Sequence, residues 1–431
     1  MVNNYIFFTF IIISTLSINA LAKKILKREW VLWLCSTAPF IIMTRFMWKV
    51  TVGNGDDFIK AYYPAGKQVL QNPFSMYHRE GADVCVSGFV NIPLLAYVFT
   101  PLNVLSETDA ARLFRIIGIL AIFITWYLLI KITQTFDWRA VVLTGLFIIN
   151  GPLYYSVKIG NSTHFVLLLL VVAYYFNSRK MAIWNGVLVA ITAFIKVPLW
   201  LLGFYYLARK KWWVVAGYGA ALIAIVGASL LLFGTKLHLA WYQECIAPFA
   251  DKPIGAFNVQ SVNSFLARLL LNAQLNSWQL LEISWDFKVA RAFLLFLLVG
   301  VVIFVFWRSK SPNNVKEKNL EFSIVLCLAL VISPIAWTHY YLLLLLPYSL
   351  YIADKLAVPQ GWRWATSIWL SAFLISLPVI FESQDAVVQF LFFKVLISHY
   401  FFGGIILLGV LLAARLQNNN HPQPSNSKLE V

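Results

Sequence analysis

The stretch G-D-D-F-I-K-A-Y-Y-P-A-G-K-Q-V-L-Q-N-P-F-S-M-Y, Gly55 to Tyr77, is a polar island in an otherwise apolar sequence. The side of a membrane to which it is assigned fixes every later crossing. A Gly-Asn-Gly turn, Gly53 to Gly55, leads into two adjacent carboxylates, Asp56 and Asp57. Behind them Phe58, Tyr62 and Tyr63, with Lys60 and Lys67, combine aromatic rings and cations as a segment on a membrane surface does. An acid there faces both water and lipid, where an enzyme acting on a lipid-linked substrate needs a base. The same residues would also suit an ordinary solvated loop.

Composition decides the class. With 60% hydrophobic and 12% charged residues over 431 positions, the chain cannot be a soluble core with a polar skin. It reads as an all-α polytopic membrane protein. The 34 Lys+Arg against 18 Asp+Glu give a formal charge of +16, and basic residues concentrate on cytoplasmic loops. Nucleic acid is not implied. Cys35, Cys85, Cys245 and Cys327 have no C-x-x-C spacing, so neither a zinc site nor a redox pair is suggested. Cys85 and Cys245 both fall in segments placed outside, where an oxidising compartment would let them pair.

Working outward, Tyr5 to Ala22 is apolar and just long enough to span, and K-K-I-L-K-R follows at once. Ala20-Leu21-Ala22 resembles a signal-peptidase site, but no positive region precedes it, so an uncleaved span with its N-terminus outside is expected. Trp30 to Trp48 returns outward and carries Arg45 and Lys49 near its outer end, in reach of lipid phosphate. Residues 51–106 then form a first outer segment. Within it, Asn91 to Leu105 is broken by Pro93 and Pro101 and is expected to lie along the membrane or re-enter. Ala110 to Ile130, Val141 to Val157 and His164 to Phe176 read as the next three crossings.

Met181 to Leu207 lies between two basic loops, Arg179-Lys180 and Arg209-Lys210-Lys211, that both belong inside. An even number of passes is required. Ile195-Lys196-Val197-Pro198 supplies the break, because proline ends the helix and a lysine interrupts apolar sequence. A lysine at membrane depth costs about 2.5–3.5 kcal/mol on insertion scales and is a functional candidate, although one at a boundary can simply snorkel. Further on, residues 234–285 form a second outer segment with Trp241-Tyr242 and F-N-V-Q-S-V-N-S-F, which contains Gln260 and Ser261. The basic loop R-S-K-S-P-N-N-V-K-E-K precedes a rise to S-P-I-A-W-T-H-Y-Y, Ser333 to Tyr341. About thirteen spans are expected in one domain, 1–414, followed by an inner, disordered tail at 415–431. No internal repeat is apparent, which weighs against a transporter built from similar halves.

Several stretches agree with one family. D-F-I-K-A-Y-Y-P-A-G, Asp57 to Gly66, resembles the D-F-x-x-Y-Y-x-A-A signature of glycosyltransferase family 87, the polyprenyl-phosphate-dependent mannosyl- and arabinofuranosyltransferases of the C-type (GT-C) superfamily. I-P-L-L-A-Y-V-F-T-P-L at Ile92 to Leu102 is similar to its Y-P-P-L-x-x-L-x-x-x-P-L, and I-G-N-S-T-H-F at Ile159 to Phe165 to L-G-Q-x-N. A-F-I-K-V-P at Ala193 to Pro198 is similar to A-x-x-K-x-x-P, and S-P-I-A-W-T-H-Y at Ser333 to Tyr340 to S-P-I-S-W-D-H-H. The five fall in the family's order. Asn161 replaces a Gln, Gly66 the second Ala, Thr338 an Asp and Tyr340 the last His, so the surroundings of His339 are less acidic than the family pattern.

The resemblance implies a GT-C fold, an outward-facing site and transfer from a lipid-phosphate sugar. The residues suit that chemistry. An acceptor hydroxyl attacking an anomeric carbon must lose its proton, and Asp57 can take it. The leaving phosphate gains charge that Lys196, with His339 or Arg45, can stabilise. Asp56, Asn161, Gln260 and Ser261 are candidate substrate contacts, and Trp337, Tyr340, Tyr62 and Tyr63 can stack on a sugar or polyprenyl chain, although interfacial aromatics are equally expected in any membrane protein. No metal and no cofactor are implied. The expected partners are a polyprenyl-phosphate-linked sugar, a lipid-linked or glycan acceptor and membrane lipid. The other readings are a secondary transporter of an anionic or lipid-linked solute, since broken helices with a central cation also build transporter sites, and a polysaccharide polymerase or ligase of the same superfamily.

Overall fold

A computed structural model describes residues 37–45, 48, 55–77, 88–133, 137–378 and 394–420. The expected first span, Cys35, Cys85 and residues 421–431 lie outside these. Cys245 is disulfide-bonded, and the pairing expected of it falls on Cys85, outside the described residues.

Among the described residues the fold is helical and no strand forms; two isolated bridges are the only β-type pairings. After a π-turn at Phe58–Tyr62 come α1 (Tyr63–Gln71), α2 (Glu107–Thr133), α3 (Trp138–Ile149), α4 (Gly151–Ile159), α5 (Thr163–Ser178) and α6 (Ala182–Ile195). They are followed by α7 (Trp200–Ala208), α8 (Trp212–Cys245), α9 (Val262–Leu270), α10 (Trp285–Arg308) and α11 (Val315–Val331). The chain closes with α12 (Leu345–Ile352), α13 (Trp362–Ser376) and α14 (His399–Asn420).

Among the described residues, four helical stretches are long and apolar enough to cross a membrane alone: Glu107–Ile132, Trp212–Asp251, Trp285–Arg308 and Leu396–Asn418. Many of the expected spans are therefore shorter or broken pieces. Met181 to Leu207 divides as expected: α6 ends at Lys196, whose backbone turns extended, and a 3₁₀ turn at Val197–Leu199 restarts the chain into α7. Val141 to Val157 was expected to be one crossing and is instead α3 and α4, bent by 50°. The reason is local. Asn150 leaves the helical region and its side chain accepts from Leu153 N at 2.9 Å, while Pro152 is preset for the first turn of α4. Pro93 and Pro101 keep the 93–104 region to short helical turns that pack on α1, in line with a segment that does not cross.

The helix α11 is buried from Asn319 to Val331 except at the half-buried Phe322, as a central helix is. By contrast, only 11% of the most apolar stretch of α10 is buried, which assigns that helix to the lipid-facing rim. Gly234, where the second outer segment was expected to begin, takes φ 70° and ψ 171°, outside the helical region, and breaks α8 into two helical pieces at that point. At the other end of the chain α14 continues past Ala414 to Asn420, and Arg415 is not part of a free tail. Its Nε donates to Glu321 Oε1 at 2.9 Å, and Arg209 donates to both oxygens of the same carboxylate at 2.6 and 2.8 Å. This ties α7, α11 and α14 together. Losing one partner of such a buried set costs about 3–5 kcal/mol.

Candidate active site

The segment that opens the π-turn delivers Asp57 and Asp56 to opposite surroundings. Both lie in helical backbone at the start of the π-turn. Asp56 is exposed and meets Lys60 at 3.4 Å, one helical turn on. Asp57 turns inward, where Asn161 Nδ2 donates to its Oδ2 at 2.6 Å. The adjacent acids thus point apart, as two residues of one helical turn must.

Asn161 reaches Asp57 because α4 stops abruptly. Gly160 caps it in the left-handed region at φ 69°, and a Cβ at that position would stand 2.7 Å from the Cβ of Phe58. Only glycine permits both the conformation and the approach. Gly160→Ala is expected to cost at least about 1–2 kcal/mol from backbone strain alone and more from the collision. A melting midpoint unchanged from that of the parent would refute it.

The Asn161 amide works in both directions. Its Oδ1 accepts from Lys196 Nζ at 3.2 Å and from Thr163 N and Oγ1 at 3.0 and 2.7 Å. Lys196 itself sits at the break between α6 and α7, buried, with Nζ 4.5 Å from the centre of the Tyr340 ring. One amide therefore stands between the carboxylate and the ammonium, and among the described residues the two form no direct ion pair. The second oxygen of Asp57 and the remaining Lys196 protons are left for another molecule. Burial raises the Asp57 carboxyl above its ordinary value, and the Asn161 hydrogen bond and the Lys196 charge only partly offset that.

His339 enters the same region from the turn after α11. Its buried ring lies near Tyr155 and Trp337, with centroids 6.2 and 6.5 Å away and nearly parallel planes, and Tyr340 packs at its edge. Among the described residues, both ring nitrogens lack a hydrogen-bond partner. Buried imidazole nitrogens are rarely left so, and a bound molecule would complete them. Trp337 is held by a bridge to Val259, and Thr338 N donates to Asn258 O at 2.8 Å, so residues 257–261 brace the histidine turn.

The other sequence candidates divide. Tyr62 lies against the site, its hydroxyl 3.1 Å from Ser162 Oγ and its ring stacked on Phe99. Tyr63 donates to Leu105 O and Gln260 donates through Nε2 to Phe257 O and Ile397 O; both hold backbone in place. Ser261 caps α9 and donates to Pro334 O. Arg45 is exposed and makes no hydrogen bond or ion pair with Asp57, Asn161 or Lys196 among the described residues. Tyr155 and Asn258 were missed. Asn258 Nδ2 donates to Tyr155 OH at 3.1 Å and Trp278 donates to Asn258 Oδ1 at 2.8 Å, a chain that backs His339. Their signal in the sequence was only a tyrosine and an asparagine near motifs read for other residues.

Comparison with known proteins bears on this geometry. Two curated relatives carry the description polyprenol-phosphate-mannose-dependent alpha-(1-2)-phosphatidylinositol pentamannoside mannosyltransferase. That of Mycolicibacterium smegmatis is 27% identical over 350 residues, 78% of this chain and 80% of its own. That of Mycobacterium tuberculosis is 23% identical over 337 residues, 74% of this chain and 73% of its own. Among solved structures, ArnT from Cupriavidus metallidurans in the apo state aligns over 89% of this chain and 77% of that one, at 14% identity and a TM-score of 0.39. Its form bound to undecaprenyl phosphate aligns at 12% identity and a TM-score of 0.36, over 89% and 78% of the two chains. The model of glycosyltransferase family 87 matches residues 89–334, a span that contains Asn161 and Lys196 and is flanked by Asp57 and His339. Since that match takes in more than half of the chain, this all-α membrane protein belongs to glycosyltransferase family 87.

Proposed function

We propose that this glycosyltransferase moves a mannose-like sugar from a polyprenyl-phosphate donor to a lipid-linked or glycan acceptor, on the extracytoplasmic face of the cell inner membrane. The observation that carries the reading is the Asp57–Asn161–Lys196 chain, which sets a base and a cation on either side of one amide. In the reaction the acceptor hydroxyl attacks the anomeric carbon and gives its proton to Asp57. The bond from that carbon to the phosphate oxygen breaks, the electron pair leaves with the polyprenyl phosphate, and the configuration inverts. Lys196 faces the charge that develops on the leaving oxygens, where a fixed cation in a water-poor site acts most strongly. His339, both of whose nitrogens are unpaired among the described residues, can hydrogen-bond the donor phosphate or a sugar hydroxyl. Trp337, Tyr340 and Tyr155 offer rings to the sugar. The mycobacterial relatives, described as polyprenol-phosphate-mannose-dependent, support mannose as the sugar.

The test is transfer of label. Membranes containing this protein, given polyprenyl-phosphate-[¹⁴C]mannose, are expected to pass label to an endogenous lipid or glycan, and membranes without it are not. Equal labelling in both would sink the reading.

Sidedness has its own prediction. A cysteine introduced in place of the exposed Lys67 is expected to react with an impermeant thiol reagent added to intact cells, and one in place of the exposed Asn314 to react only after lysis. The reverse pattern would move the site to the cytoplasmic face.

A further inference from the structure

The ends of α5 and α6 remote from Asp57 enclose a second polar pocket. Thr163 and Asn177 stand at opposite ends of α5, about 21 Å apart at the helical rise, so this pocket is separate from the candidate active site. Its floor is apolar and includes Leu170 and Phe322. Its polar lining includes Lys211, Lys318, Asn177, Asn185, Tyr174 and Tyr206, and no aspartate or glutamate.

The lining offers protons and cations to whatever enters. Asn185 Nδ2 donates to Tyr206 OH at 3.3 Å and Asn319 Nδ2 donates to Tyr174 OH at 3.1 Å. Each phenol oxygen is thus already an acceptor, and each phenol proton makes no hydrogen bond among the described residues. Neither Lys211 nor Lys318 has a carboxylate partner among them. The nearby acids are committed elsewhere: Glu321 to Arg209 and Arg415, Glu317 to Asn313 N and Asn314, Asp354 to Lys316. Two unpaired ammonium groups and two free phenol donors, with no acid in the wall, suit an oxyanion such as phosphate.

The position selects the source of that phosphate. Lys211 leads directly into Trp212 and Trp213, which are 61% and 70% exposed at the start of a membrane-spanning helix, and Trp184 on α6 is 55% exposed. Such rings mark the level of lipid headgroups. We propose that this pocket binds the phosphate headgroup of an anionic membrane lipid, with the acyl chains along the exposed surface of α8. The proposal does not depend on the sugar donor or on Asp57.

The test uses the full-length protein purified in detergent. Its melting midpoint is followed while mixed micelles containing phosphatidylglycerol, mixed micelles containing phosphatidylcholine, or inorganic phosphate are added. Phosphatidylglycerol is expected to raise the midpoint and phosphatidylcholine to leave it unchanged. In the double variant Lys211→Gln, Lys318→Gln, the apparent affinity for phosphatidylglycerol is expected to fall by about tenfold or more. The variant Lys180→Gln, Lys210→Gln, which changes cations of neighbouring loops that do not line the pocket, is expected to keep it. Melting of each variant without lipid reports whether it folds. A pocket variant that responds like the parent, or a control variant that loses as much, would overturn the proposal. So would inorganic phosphate raising the parent's midpoint as much as phosphatidylglycerol does, because the ligand would then be a soluble anion.

Discussion

Asp57→Asn is expected to lower sugar transfer by about 10² or more, the scale of a general base, while donor binding persists. The amide keeps the size of the side chain and an oxygen for Asn161 Nδ2, which donates at 2.6 Å, so the local fold should hold. What it loses is basicity. The pH profile carries a second expectation. Burial raises the Asp57 carboxyl, the proton must be absent for the residue to act as base, and transfer therefore falls as pH drops through a value above the ordinary carboxylate range. Asp56 adds a smaller like-charge push in the same upward direction. Asp56→Asn should accordingly keep most of the rate and move the acid limb to lower pH. Were Asp56→Asn the inactive variant and Asp57→Asn the active one, the base would be the neighbour. A profile with no acid limb in the parent would remove the base role from both.

What the sequence made legible follows from how local each signal is. The break at Lys196 was readable because lysine and proline act within one turn, and the observed end of α6 and restart at Val197 follow from them. The break at Asn150 had an equally local cause, a capping asparagine before Gly151 and Pro152, but an apolar run of adequate length concealed it. The opposite directions of Asp56 and Asp57 were readable from their adjacency. The bridging role of Asn161 was not, because it depends on Gly160 packing against Phe58, more than a hundred positions away in the chain. Gly66, where the family pattern has alanine, has a similar explanation. A Cβ there would stand 2.8 Å from the Phe99 carbonyl carbon, so glycine goes with the close packing of α1 against the proline-broken turn. Gln260 and Ser261 looked like site residues because they are polar in a segment expected to be outer, yet they hold backbone and a helix cap. Arg415 looked like tail because the apolar run ends just before it; its burial is set by Glu321 on a distant helix.

Lys196→Gln is expected to raise the donor concentration needed for half-maximal transfer and to slow transfer by about 10²-fold, with the protein still inserted. Removing a cation from membrane depth lowers the cost of insertion, so loss of activity would not reflect loss of protein from the membrane. Glutamine can still donate toward Asn161 Oδ1, which isolates the charge as the property removed. The variant also reports on Asp57. The Lys196 charge holds the Asp57 carboxyl below where burial alone would place it, so deleting that charge lets the carboxyl rise further. The acid limb of the residual activity should therefore shift to higher pH, opposite to the shift expected of Asp56→Asn. A lysine that merely snorkels to the interface would produce neither the change in donor requirement nor the shifted limb. A variant with a normal rate and an unmoved pH profile would assign Lys196 that role and leave the leaving phosphate to His339.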